Sequence, residues 1–186
     1  LFNDLIKYVK QIKLENFEYK LTKVNNVKVD VDTHFLPDKI RTYINNHIKY
    51  KYEINYKYNN KNINIEYFSK EKNKKKIIKL ILKRVLFMYN ITNKFININL
   101  IIYDTPYKKR FNCSNHKNCD KLNTINVNSG FSYTNNIVIF RKEELLKLVI
   151  HEMIHALDVD VKYENKKNKD ELLDMFCIDK TNVLIN

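Results

Sequence analysis

Glycine scarcity is the feature that most constrains what this chain can fold into. The chain has 186 residues and one glycine, Gly130, although about 13 would be expected at the usual frequency. Phosphate-binding loops of the G-x-G-x-x-G or G-x-x-x-x-G-K type, and the G-x-S-x-G turn of α/β-hydrolases, each need several glycines. The sequence therefore excludes enzymes that depend on such loops. We expect Gly130 to lie in a turn or bulge, at a position where the backbone needs positive φ or approaches another part of the chain closely.

The charge of the chain invites comparison with nucleic-acid-binding proteins, because the formal net charge is +13. Lysine is over-used along the whole chain, however, and arginine, the usual reader of bases, occurs only four times. The densest lysine run, residues 70–76, precedes a predicted helix and is expected to be a solvated surface. Nucleic acid is therefore not expected as a partner. No apolar run approaches the roughly 20 residues of a membrane span, so no transmembrane segment is expected.

The chain has three cysteines, and an odd number does not indicate a disulfide framework. We therefore expect a reducing compartment. Cys113 and Cys119, with His116 between them, are predicted to be loop thiols, the alternative being part of a second metal site. Cys177 is predicted to be a small core residue.

The periodicity of apolar residues predicts an α+β fold with a mixed sheet. The predicted division is an N-terminal α+β region over residues 1–70 and a core over residues 71–186. Helical spacing predicts helices over 1–14, 37–48, 74–90 and 142–158, and from about 170 toward the end. Alternation predicts strands over 16–33, 96–103 and 137–140, and a hairpin of 52–58 with 63–68 around an Asn-rich turn.

One motif carries chemistry, because His151-Glu152-Met153-Ile154-His155 fits H-E-x-x-H. Residues i and i+4 share one face of a helix, so the two imidazoles can converge on one metal ion. Glu152 is displaced by one position, so its carboxylate can act on a metal-bound water as general base without occupying the metal. Zn²⁺ is the usual ion of such a site. The alternative is a pair of ordinary histidines on a helix.

A third zinc ligand must come from elsewhere in the chain. In the metzincin pattern it lies six residues after the second histidine, where this chain has Val161, and Asp158 occupies the glycine position of that pattern. In the thermolysin-like pattern a carboxylate of a following helix completes the site. Asp174 is the predicted third ligand and Asp170 its neighbour, since the two share a helix face. Glu171 is the alternative ligand, and Asp158 is a further candidate to orient a histidine.

These residues resemble a known family. His151 to Asp158, HEMIHALD, is similar to the active-site helix of zincin metallopeptidases, including the HELIHAFD-type motif of mitochondrial metallopeptidases that process an ATP synthase subunit. A longer likeness is to uncharacterised metallopeptidase-like proteins of giant DNA viruses, over about residues 100–180. The matching stretches are T-P-x-K-K at 105–109, V-N-S-G-F at 127–131, an aliphatic strand at 137–140, R-K-E-E at 141–144 and the H-E-x-x-H helix.

The resemblance implies a zincin-like core with an H-E-x-x-H helix and a following C-terminal helix. It implies a zinc-dependent peptidase with one Zn²⁺ ion and a polypeptide substrate, located in a reducing intracellular compartment or a virion. The alternative is a catalytically silent zincin-fold protein with a structural or virion-associated role. The implied substrate-binding edge strand includes Asn128, Ser129, Gly130 and Phe131. Tyr133 and His116 are candidates to stabilise the oxyanion.

Overall fold

The structure, a computed structural model, describes residues 8–9, 11–25, 27, 29, 35–109 and 128–159. Six strands of this part of the chain form one mixed sheet in the order β1-β2-β3-β4-β6-β5. They are β1 (Lys20–Lys23), β2 (Tyr50–Tyr58), β3 (Lys61–Ser69), β4 (Ile98–Tyr103), β5 (Gly130–Tyr133) and β6 (Asn136–Ile139). The helices are α1 (Asp38–His47), α2 (Lys75–Thr92) and α3 (Leu145–Ala156). The predicted α+β class with a mixed sheet is confirmed.

The predicted hairpin is confirmed, and its strands are longer than expected. β2 and β3 pair without interruption from Tyr50 opposite Ser69 to Tyr58 opposite Lys61. The two turn residues, Asn59 and Asn60, have φ of 46° and 58°. A two-residue turn with both φ values positive matches the right-handed twist of the strands it joins.

Asparagine takes the backbone positions that glycine occupies in most proteins. Seven non-glycine residues of the described chain have positive φ, and five of them are asparagines. Asparagine visits the left-handed region at low cost because its short amide can bond to the local backbone. Asn93, for example, ends α2 with φ of 51°. The scarcity of glycine therefore does not prevent this chain from making tight turns.

Of the three helices whose bounds are given above, α2 and α3 cover one face of the sheet and α1 covers the other. β3, β4 and β6 are parallel, and α2 is the crossover from β3 to β4. α2 and α3 bury their apolar stripes against the sheet, where burial of each Ile or Leu contributes about 1.5–3 kcal/mol. The predicted helices over 74–90 and 142–158 are confirmed as α2 and α3, with slightly different ends. On the opposite face, Ile40 and Ile44 of α1 pack against Phe68, Val138 and Phe140.

The remaining sequence predictions are tested only in part. Tyr8, Val9 and Gln11 are helical, whereas the helix predicted from about residue 170 lies outside the described residues. Strands from both sides of residue 70 pair within one sheet, β3 with β4, and the division into 1–70 and 71–186 stays a prediction. No helix of the described chain is long and apolar enough to span a membrane.

Gly130 does not lie in a turn or bulge, so that prediction is wrong. It is the first residue of β5, pairs regularly with Ile139 and has no positive φ. Close approach, the other reason given for a glycine at this position, does apply. A Cβ atom at this position would lie 2.7 Å from the Val138 carbonyl oxygen and 3.3 Å from the Ile139 side chain.

Candidate metal centre

Helix α3 has a buried face and an exposed flank because its apolar and polar residues recur at helical spacing. Leu145, Val149 and Met153 are buried against the sheet. His151 and His155 lie on the flank of the same helix and are exposed. The i, i+4 spacing of the two histidines thus places both rings on one side, at the surface.

The two imidazoles converge to the spacing that one zinc ion requires. The His151 Nε2 and His155 Nε2 atoms are 3.4 Å apart, and the rings lie edge to face with centroids 4.8 Å apart. Zinc binds imidazole nitrogen at about 2.0–2.1 Å with tetrahedral geometry, so two such ligands lie about 3.3–3.4 Å apart. The observed pair fits two positions of a tetrahedral zinc site. Imidazole nitrogen is also a ligand type that suits zinc.

Glu152 is the unusual residue of this helix. It lies within the buried stripe and is 5% exposed. Among the described residues, no hydrogen bond or ion pair joins its carboxylate to another group. A carboxylate rarely occupies such a position without a partner, because burial of an unpaired charge is costly. Its burial therefore has no structural explanation within the described chain.

The predicted third ligand cannot be placed. Asp170, Glu171 and Asp174 lie outside the described residues. Within the part of the chain that the structure describes, no group of three or more His, Cys, Asp or Glu side chains converges on a metal position. The pair of histidines is thus a partial ligand set, and Asp174 stays a prediction. Cys113, His116, Cys119 and Cys177 also lie outside the described residues.

Asp158 has a backbone role at the end of α3 that was not predicted from the sequence. It follows α3 with φ of 48°, its N–H donates to the His155 carbonyl and the Val159 N–H donates to the Ile154 carbonyl. These two bonds form a Schellman ending, in which glycine is the commonest left-handed residue. The Lys94 ammonium group donates to the backbone oxygens of Leu157 and Asp158, which stabilises the same helix end. The role of the Asp158 side chain near a histidine stays a prediction.

The other end of α3 is held by a network that we call the helix-entry clamp, formed by Lys109, Ser129 and Glu144. The Glu144 carboxylate accepts a hydrogen bond from Ser129 Oγ at 2.9 Å and lies 2.9 Å from the Lys109 ammonium nitrogen. The hydrogen bond from Lys109, reinforced by the one from Ser129, holds the pKa of Glu144 below its usual value. The clamp therefore stays charged at neutral pH and fixes the start of α3 beside the start of β5.

The helix-entry clamp was not predicted from the sequence, where Ser129 was expected only in the substrate-binding edge strand. The clamp joins three stretches quoted for the family resemblance, at 105–109, 127–131 and 141–144. Thr105 Oγ1 donates to the Phe140 carbonyl at 2.5 Å, which adds the aliphatic strand at 137–140, and Arg141 Nε donates to the Asn128 carbonyl at 2.8 Å. Stretches that are distant in sequence thus meet at the entry to α3.

The predicted edge strand lies at the end of the sheet next to α3. Within the described chain β5 pairs with β6 alone, so its outer backbone groups face away from the sheet. Gly130 and Phe131 are in this strand, while Asn128 and Ser129 precede it. Tyr133 is paired with Asn136, on the sheet face opposite α3. It therefore does not face the histidine pair as an oxyanion donor would.

Comparison with protein-family models, curated proteins and solved structures finds no match for this chain.

Proposed function

We propose that this chain is a zinc-dependent metallopeptidase. His151 and His155 would be two of the zinc ligands and Glu152 the general base. The observation that carries the proposal is the pair of Nε2 atoms 3.4 Å apart beside a buried carboxylate that has no partner among the described residues. Asp174 is proposed as the third ligand, with Asp170, Glu171 and Asp158 as its neighbours or alternatives.

The chemistry divides between the metal and the protein. Zinc, when bound, supplies a Lewis acid that polarises a carbonyl and makes water more acidic. Glu152 takes the proton of the attacking water and passes it to the amine that leaves. Met153 and Val149 hold the buried face of α3 against the sheet, and Glu152, on that face, directly follows His151 in the sequence. The Schellman ending and the helix-entry clamp hold both ends of the same helix.

A polypeptide is the proposed substrate, and a zincin-like arrangement the proposed fold. Two features support them. β5 runs antiparallel to β6 at the end of the sheet nearest α3, and its outer edge has backbone donors and acceptors that an extended peptide can pair with.

The test combines metal content with one isosteric variant. Elemental analysis of the full chain should find one zinc per molecule, and wild type should hydrolyse an unfolded polypeptide. Glu152→Gln should retain the zinc and reduce hydrolysis by about 10²- to 10⁴-fold, the usual contribution of a general base. Glu18→Gln, a carboxylate exposed on the surface, is the matched control and should change neither quantity.

Two outcomes would contradict the proposal. A preparation without stoichiometric zinc, which also fails to take up added zinc, would show that the histidines are not a metal site. Stoichiometric zinc without hydrolysis in wild type would favour the silent zincin-fold alternative. His151→Ala separates these cases further, since it should lose zinc if the histidine pair is the site.

A further inference from the structure

A concave surface at the β1 end of the molecule is lined by four lysines that are close in sequence, one just before α2 and three in its first two turns. We call it the lysine groove and define it by Lys72, Lys75, Lys76 and Lys79 together with Tyr19. It encloses about 530 Å³ between the start of α2 and β1, at the opposite end of the sheet from β5. It therefore lies apart from the candidate metal centre.

The charge of the lysine groove is not neutralised by the described chain. None of its four lysines forms an ion pair with a described carboxylate, and the first turn of α2 has no acidic residue. Lys51 and Lys74, by contrast, each pair with two carboxylates. Four neighbouring positive charges repel one another, and this repulsion is relieved when an anion binds.

Aromatic rings hold these lysines in defined positions. The Lys72 ammonium lies 5.5 Å from the Tyr50 ring centroid, and that of Lys75 lies 5.7 Å from the Tyr19 ring centroid. Lys79 lies 5.1 Å from the ring centroid of Phe17. Cation–π contacts of this kind order a side chain that would otherwise be freely mobile. The groove therefore presents an ordered array of ammonium groups and not a solvated lysine tail.

We propose that the lysine groove binds single-stranded nucleic acid without sequence preference. Proteins that do so combine a positively charged groove for the phosphates with aromatic side chains on which bases stack, and Tyr19 is 38% exposed at this groove. An exposed ring beside the charges favours a ligand with flat bases over an acidic peptide, for which the charges alone would serve. The absence of arginine from the groove agrees with backbone binding and not base reading. This departs from the expectation of a merely solvated lysine run.

The experiment measures binding of the full chain to labelled oligo(dT) of about 16 nucleotides by fluorescence anisotropy, in about 50 to 200 mM salt. Affinity should fall steeply as salt rises. Lys72→Gln/Lys75→Gln should lower the slope of log affinity against log salt by about 1.4, because each lost phosphate contact contributes about 0.7 for single strands. Tyr19→Leu should weaken binding by about fivefold or more through lost stacking.

A matched control removes two charges elsewhere. Lys57→Gln/Lys61→Gln lies at the β2–β3 turn, the far end of the hairpin from the groove, and should leave the slope unchanged. Equal weakening by both double variants would overturn the proposal in favour of diffuse attraction to a basic protein. Absence of binding in low salt, equal competition by polyglutamate, or capture by anionic vesicles in place of DNA would also overturn it. Glu152→Gln should bind as wild type does, so the result does not depend on the proposed peptidase activity.

Discussion

Two buried carboxylates in this molecule have opposite surroundings. Asp104, directly after β4, is 7% exposed; its carboxylate lies 2.9 Å from the Lys74 ammonium and accepts a hydrogen bond from Ser69 Oγ at 3.2 Å. Burial, together with the charge of Asp104, holds the pKa of Tyr67 well above its usual value, so that hydroxyl stays protonated and can bond to Asp104. Glu152 is as deeply buried and has no such partner among the described residues.

The difference separates a structural carboxylate from one that is available for chemistry. Asp104 joins the ends of β3 and β4 to the start of α2 through Ser69 and Lys74. The negative charge of Asp104 also stabilises Lys74 in its charged form: burial alone would lower the pKa of Lys74, and the hydrogen bonds to Asp104 and Glu71 raise it. A buried carboxylate without such partners lowers stability, and chains retain one when function uses it.

The largest expected effect tests the structural half of this comparison. Asp104→Asn removes the charge with little change of shape and leaves the Lys74 ammonium buried without its main partner. Breaking a buried pair in this way should lower the free energy of unfolding by about 3–5 kcal/mol, measured by urea denaturation. Lys51→Met is the control, because its partners Glu53 and Glu66 are about a third exposed, and it should lose no more than about 1 kcal/mol. If both variants lose the same free energy of unfolding, burial of Asp104 adds nothing to the stability that its ion pair contributes.

The next effect concerns the strand beside Glu152. Gly130→Ala places a methyl group 2.7 Å from the Val138 carbonyl, closer than Cβ atoms normally approach. The strands must separate, so we expect a loss of about 1–3 kcal/mol in unfolding free energy. Ser132→Ala in the same strand is the control and should cost less than about 0.5 kcal/mol. If Gly130→Ala is neutral, close approach does not explain why this glycine survives.

Most of the described fold could be predicted from the sequence because its elements obey local rules. Helical periodicity predicted the apolar stripes of α2 and α3, and the turn preference of asparagine predicted the hairpin turn. The environment of Gly130 was not, because the contact with Val138 depends on strand register, which a local pattern does not fix. The same limit applies to the lysine groove, since the fold brings Tyr19 to a helix that begins 56 residues later, at Lys75.

The candidate site, like the fold, could be predicted only where local rules decide the geometry. H-E-x-x-H fixed the convergence of His151 and His155, because residues i and i+4 of any helix share a face. The burial of Glu152 and the helix-entry clamp could not be derived, since both depend on which side of α3 meets the sheet. A third ligand from another element is likewise a tertiary property, and Asp174 was reached only by analogy of spacing.

A smaller effect tests the chemical half of the comparison. Glu152→Gln is the same carboxylate-to-amide change as Asp104→Asn, at equal burial. Because no described partner is lost and a neutral group is easier to bury, the free energy of unfolding should stay unchanged or rise by up to about 1 kcal/mol in the metal-free protein. Urea denaturation in the presence of a chelator measures it. A loss comparable with that of Asp104→Asn would show that Glu152 has a structural partner, and the contrast between the two carboxylates would fail.

The smallest effect concerns Glu144, a carboxylate that is partnered like Asp104 and lies at the entry to α3. Its pKa is lower in the folded state, first through Lys109 and then through Ser129, so the folded chain binds fewer protons at this site than the unfolded chain. The clamp therefore contributes stability above the unfolded pKa of about 4.3 and loses it as the pH falls through the folded value. The carboxylate is 24% exposed, so Glu144→Gln should cost about 0.5 kcal/mol near pH 7 and almost nothing at low pH, measured by denaturation at both. A cost that is independent of pH would mean that the hydroxyl bond to Ser129, and not the charge, fixes the helix beside β5.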